Sequence, residues 1–247
     1  MPTIPYLNKA GRRLAGATTI TGNVGWSTGA LQYWAWNLGM QGLNYREKLQ
    51  LEADAGTIGH HLIECEIKKI EPDFDQFIMP KDKKSADEIM AKAHNCHENF
   101  KKWAKAYKLK VLIMKKDVMD RVKAAMNPKI AVHFDSPVCL ETSLVSEKYQ
   151  YGFTPDGVGY AAGELCVLDW KTAKSVYPSM LMQVAAYKEG WNEVVPEYPV
   201  IGMHILNINK ETASFHHHYF QDLSPAWKAF LHARELHDLH KELKNMI

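Results

Sequence analysis

The sequence predicts an α/β fold in which a mixed sheet carries the chemistry and helices lie beside it. Two observations point there. Up to Asn127 the apolar residues recur mainly at spacings of three and four, the period of helices packed on one face. From Val138 onward they alternate or run in short apolar blocks bounded by Gly, Pro and Asn, the pattern of strands. At 247 residues the chain is long enough to bury a substantial core.

Residues 1–25 read as a loop leading into a short strand at Ala17–Thr21, closed by Gly22 and Gly25. A helix starting near Ser27 or Thr28 carries Leu31, Trp34 and Leu38 on one side, with Tyr33 and Trp36 elsewhere. Such dense aromatics can stack on bases, but core packing is the favoured expectation. A polar helix through Glu52 and Asp54 precedes GTIGHHLIECEI, where Gly56 and Gly59 permit close backbone approach. There His60 and Glu64 stand at i and i+4 on one face, and His61 is turned away. Residues 71–84 read as a loop. Ser85 and Glu88 form a capping box for a long amphipathic helix with its stripe at Ile89, Ala93, Cys96, Phe100, Trp103 and Tyr107. A further helix covers Lys115–Met126 and stops at Asn127-Pro128.

The β part holds expected strands at Val138–Ser146, Tyr149–Phe153, Gly157–Tyr160 and Leu165–Trp170, then a helix from Pro178 to Trp191. Strands at Val200–Asn207 and Ser214–Phe220 follow, joined by a turn at Asn209-Lys210-Glu211, and Ser224-Pro225 opens a last helix towards Lys244. His216 and His218 would share one strand face. His94 and His97 lie near the amphipathic stripe with no evident partner.

The net charge of +2 and isoelectric point near 8.2 do not by themselves point to nucleic acid. Distribution says more: the first 46 residues hold no Asp or Glu, and Lys101–Lys123 contains eight Lys and one Arg against Asp117 and Asp120. Such a stripe can follow a phosphate backbone or simply coat a solvated helix. Cys65, Cys96, Cys139 and Cys166 form no CxxC pair, which argues against a zinc ribbon and suggests a reducing compartment. No apolar run reaches the length of a membrane span and no secretory signal is evident, so the expectation is a soluble cytoplasmic protein that is not secreted.

The chemistry concentrates between Tyr151 and Tyr187. Asp156 follows a Pro and begins a hairpin arm, and Asp169 and Lys171 end the apolar run Leu165–Leu168, where alternation puts both on the same side of the strand. Asp156 can approach Asp169 across the hairpin. Two carboxylates and a lysine held by neighbouring strands are what a metal-dependent phosphodiester hydrolase needs: the acids hold a hard divalent cation, and the lysine steadies charge on the phosphate or the attacking water. Asp/Glu-x-Lys is a cheap motif, also present at Glu66, Asp82 and Glu242, and alone it would read as an ordinary surface hairpin.

The series Gly56-Thr57-x-x-His60-x-x-x-Glu64, Gly152-x-x-x-Asp156, Leu168-Asp169-Trp170-Lys171-Thr172 and Gln183-x-x-x-Tyr187 resembles the PD-(D/E)XK nuclease superfamily. More narrowly it resembles the RecB-type exonuclease branch, which includes phage exonucleases and the mitochondrial genome maintenance exonuclease. The resemblance covers roughly residues 52–220 at the level of motifs. It implies a restriction-endonuclease-like core over 131–247, with a mixed central sheet flanked by helices, and an N-terminal helical or arch region over 1–130 that contributes His60, all within one compact domain. It further implies that His60, Asp156, Asp169 and the Trp170 carbonyl ligate Mg²⁺ or Mn²⁺, with Glu64 a further candidate and Glu141 a weaker one. Lys171 would act on the water and the transition state. Gln183, Tyr187 and Thr172 would brace the site or touch DNA, and Trp34 and Trp36 would stack on unpaired bases. The iron–sulfur relatives use three cysteines after the core; here the last is Cys166, so no such cluster is expected. The implied activity is exonucleolytic hydrolysis of linear, single-stranded DNA, with partners from recombination, repair or replication. A restriction-type or structure-specific endonuclease and a non-catalytic DNA-binding scaffold are the alternatives. No Walker A sequence is present, so any unwinding would need a partner.

Overall fold

The computed structural model describes residues 5–26, 28–212 and 214–247. In chain order the elements are β1 (Tyr6–Leu7), β2 (Arg13–Leu14), α1 (Ala17–Gly22), α2 (Thr28–Met40), α3 (Tyr45–Lys68), α4 (Lys83–Ala106), β3 (Lys110–Val111), α5 (Lys116–Ala124), α6 (Pro128–Ala131), β4 (Leu144–Ser146), β5 (Tyr151–Phe153), β6 (Gly157–Ala161), β7 (Glu164–Lys171), α7 (Pro178–Val194), β8 (Gly202–Ile208), β9 (Phe215–Phe220) and α8 (Ser224–Lys244). This is a mixed α/β fold. Its main sheet has the order β3-β6-β7-β8-β9, with β7 and β8 parallel and the other neighbours antiparallel. No helix among the described residues is long and apolar enough to cross a membrane.

The sheet is covered on both faces, which explains why β7 and β8 read as nearly unbroken apolar runs. In β7, Leu165 and Val167 enter a core shared with α1, α5, α7 and α8, whereas Cys166, Leu168 and Trp170 enter a second core with Phe100 and Trp103 of α4. Alternation therefore assigns Asp169 and Lys171 to the α7 side. A third cluster, around Ile58, Leu62, Ile89 and Ala93, joins α3 to α4.

Several local expectations are corrected. Ala17–Thr21 is not a strand but the helix α1; its β-branched run suggested extended structure, yet Ala17 and Ile20, three apart, are both buried in the main core, and that burial outweighs propensity. Val138–Ser146 is not one strand. Only Leu144–Ser146 is regular, and upstream there are isolated bridges at Val138 and Leu140 before Glu141 takes a left-handed φ of 45°. The cap of α4 is Asp82, whose carboxylate accepts from Ser85 N at 2.8 Å, not a Ser85–Glu88 box; Glu88 instead pairs with Lys92 and Lys48. The polar segment and the Gly56–Gly59 segment form one continuous helix, α3.

The expected apolar face of α2 is not core. No residue of α2 is buried: Trp34 and Leu38 are half-buried, and Leu31, Tyr33 and Trp36 are exposed. Ser27, one of the two expected starting points of α2, lies outside the described residues.

Candidate metal centre

His60 reaches the site because α3 can come close to its neighbours. A Cβ on Gly56 would stand 2.8 Å from Thr172 Oγ1, and one on Gly59 would stand 2.9 Å from the Cys96 Cβ. The two glycines thus seat α3 against α4 and the end of β7, with Thr172 packed on Gly56. There His60 Nδ1 lies 3.8 Å from Asp156 Oδ1 and 3.9 Å from Glu141 Oε1. One ligand atom from each of His60, Glu141 and Asp156 lies within 4.8 Å of the others.

The hairpin and the preceding turn supply the acids. Glu141 N donates to the Asp156 carbonyl at 3.2 Å, so the left-handed turn at Glu141 is tied to the residue just before β6. Gly157 pairs with Leu168, which brings Asp156 to the level of Asp169, and Trp170 N donates to Asp156 Oδ2 at 2.5 Å. Trp170 therefore contributes to the site through its N–H, while its side chain packs in the second core. Lys171 Nζ donates to Asp169 Oδ1 at 2.8 Å. Asp169 is fully buried, and its Oδ2 accepts no hydrogen bond.

The electrostatics are those of crowded, poorly solvated charges. Burial raises the pKa of Asp169 despite the neighbouring Lys171 ammonium. Burial also raises Asp156, with Glu141 adding to the effect and His60 and Lys171 opposing it. For His60, burial alone would favour the neutral ring, but the Asp156 and Glu141 carboxylates outweigh it and raise the pKa. Lys171 likewise stays charged because Asp169 and Asp156 overcome its burial.

On α7, Gln183 Nε2 donates to Tyr187 Oη and to Thr18 Oγ1, the latter at 3.0 Å. This pair links α7 to α1. Burial, followed by the charges of Asp169 and Asp156, pushes the Tyr187 phenol well above its usual range, so it stays protonated beside the acids. Asn207 on β8 donates from Nδ2 to the carbonyls of Lys171 at 3.3 Å and Ala173 at 2.7 Å, which fixes the end of β7.

Other expected residues fall elsewhere. Glu64 lines the same cleft but is held by Lys68 at 2.5 Å and is not in the ligand group. Glu141 takes the place that Glu64 was expected to share, from a turn rather than a strand. His61 packs edge-on against Phe74 and Phe77 and lies 3.5 Å from Cys65 Sγ. Trp36 stacks with Tyr33 on α2, with ring centroids 6.1 Å apart. His97 does have a partner, Glu66 at 3.1 Å. On β9, His217 Nε2 lies 2.6 Å from His204 Nδ1, and His218 stacks on Phe220.

The imidazole of His60 and the carboxylates of Glu141 and Asp156 form a donor set suited to a divalent cation that accepts oxygen and nitrogen, with Asp169 on the neighbouring strand. A buried carboxylate oxygen without a hydrogen-bond partner, as at Asp169 Oδ2, is expected where a cation is to be received. The residues present therefore fit Mg²⁺ or Mn²⁺. The group opens into a cleft of about 590 Å³ whose lining includes Gly56, Thr57, His60, Glu141, Asp156 and Thr172. No protein-family model matches the chain, and no curated protein matches it either.

Proposed function

We propose that the protein is a divalent-metal-dependent nuclease that hydrolyses DNA phosphodiesters, acting on strand ends, with a core of the PD-(D/E)XK type. The observation that carries this reading is the convergence of His60, Glu141 and Asp156 within 4.8 Å on the wall of an open cleft, with the Asp169–Lys171 pair on the adjoining strand. A cation held by these residues would polarise the phosphodiester and supply an activated water. Lys171 keeps its proton, and so presents a positive charge to the phosphate and to the charge that develops in the transition state. Gln183 and Tyr187, hydrogen-bonded to each other on α7, would brace the site, with the Tyr187 phenol within the field of Asp169 and Asp156.

Preference for an unpaired strand rests on α2, which has no charged side chain and exposes Tyr33 and Trp36, a surface suited to stacking bases. Lys and Arg residues on α4, β3 and α5 would add phosphate contacts. Digestion of end-labelled linear and covalently closed circular DNA, with and without Mn²⁺, tests the reading. Linear single strands should be degraded only with metal, and closed circles should be spared. Rapid nicking of circles at low enzyme would assign an endonuclease instead.

A further inference from the structure

A second cavity, of about 500 Å³, shares Glu141 with the metal cleft. Its walls differ in kind. Ile130 and Phe134 supply apolar surface, and His133 presents an exposed ring. Opposite in character is a chain of hydroxyls: Tyr6 Oη lies 2.7 Å from Thr154 Oγ1, which lies 2.8 Å from Ser143 Oγ. Among the described residues no Lys or Arg lines this cavity, and its one charged carboxylate is Glu141.

That lining selects the occupant. A phosphate would meet no cation here and would face the Glu141 carboxylate, so it is disfavoured. A ring system with polar edges, joined to a sugar, would meet the aromatic side chains of Phe134 and His133 and hydroxyls that both donate and accept. The volume falls in the range of small-ligand sites, roughly 300–1,000 Å³. Because Glu141 borders both spaces, a phosphate at the metal group and a group in this cavity can belong to one nucleotide.

We infer that this cavity is a nucleoside subsite, which seats the base and sugar adjoining the scissile phosphate. The inference rests on the nuclease reading for its placement, but binding tests it separately. The probes are deoxyadenosine monophosphate and inorganic phosphate, titrated calorimetrically into the full chain in Ca²⁺, alongside steady-state cleavage of an oligonucleotide in Mn²⁺. His133→Ala, Phe134→Ala and Thr154→Val are compared after melting curves show that each folds; His133 is exposed, so at least that variant is expected to fold.

The aromatic variants should weaken deoxyadenosine monophosphate binding roughly tenfold, the loss of one base-stacking contact. Phosphate binding should not change, and the KM for cleavage should rise more than kcat falls. If all three variants bind the nucleotide like the intact protein, the subsite is overturned; cleavage by the intact protein in the same experiment would show that the nuclease reading survives. If the intact protein never cuts, yet nucleotide binding is lost in the variants, the subsite stands and the hydrolase reading falls.

Discussion

Asp169 and Lys171 sit two apart on one strand, so a single ion pair links a buried acid to the cation that would face substrate. Lys171→Ala should lower cleavage by about 10²–10³-fold, the usual cost of one transition-state electrostatic contact. The metal site can be probed at His60, where Ala should weaken Mn²⁺ binding strongly when followed by calorimetry. His61→Ala should change it little, since that ring packs on Phe74 and Phe77. Glu141→Gln should resemble His60→Ala, whereas Glu64→Gln should resemble His61→Ala, because Glu64 is occupied by Lys68. Equal effects at His60 and His61 would show that the wrong histidine has been assigned. Asp169 and Lys171 were legible as a same-face pair because strand alternation places side chains by simple counting, and Asp156 by its place before the hairpin arm; helical spacing pairs His60 with Glu64, which is not in the ligand group, and only the resemblance joins His60 to the acids. Glu141 was under-weighted because its role depends on a left-handed turn with no glycine to announce it. Asn207 gave no signal, since an Asn at a strand end looks the same whether or not it holds a neighbouring strand.

Elements are joined by polar groups as well as by apolar cores, and these carry acid sensitivity. Glu52 on α3 accepts from Lys92 at 2.5 Å and from Lys210 at 2.6 Å, and despite its partial burial these partners hold its pKa at about 2. Because that value lies below the ordinary one, the pairing stabilises the fold above about pH 4.5 and is lost as pH falls towards 2. His204 on β8 is depressed to about 4 by burial and by His217, so the unfolded chain takes up its proton first, and stability falls from about pH 6.5 down to 4. Melting temperatures measured from pH 7 to 2 should therefore decline in two stages. His204→Phe should flatten the upper stage and Glu52→Gln the lower; a single stage unaffected by both changes would contradict this account. Packing between elements is equally specific at Gly152, where a Cβ would stand 1.9 Å from the Tyr6 ring, so Gly152→Ala should cost about 1–3 kcal/mol in denaturant unfolding. The strands β6 to β9 and the helices α4, α7 and α8 were legible in the sequence because their periodicity and their burial agree, whereas the two-residue edge strand β3 is too short to leave a pattern. At α1 and α2 they do not: a β-branched run was buried as a helix, and an apolar helix was left on the surface. Tertiary placement decided both, and no local pattern encodes it.

Across the whole molecule, α1, α3 and α7 converge on the sheet where Asp156, just before β6, and Asp169 on β7 lie, while α2 links α1 to α3 with Tyr33 and Trp36 exposed. This arrangement predicts that recognition and hydrolysis are separable. On the proposed reading, recognition would draw on the exposed rings of α2 and the basic residues of α4 and α5, and hydrolysis on a few buried charges. Trp36→Ala should weaken binding of a single-stranded oligonucleotide by roughly tenfold, as loss of a stacked base would, with little effect on a fully paired duplex in the same mobility-shift assay. The most direct test measures binding in Ca²⁺ and cleavage in Mn²⁺ on one labelled single-stranded oligonucleotide, for the intact protein and for Asp169→Asn. The account predicts that the intact protein binds and cuts. It also predicts that Asp169→Asn binds as well or slightly better, having lost a negative charge, but cuts at least about 10²-fold more slowly. Cleavage by Asp169→Asn at the intact rate, or binding without cleavage by the intact protein in any divalent metal, would contradict it.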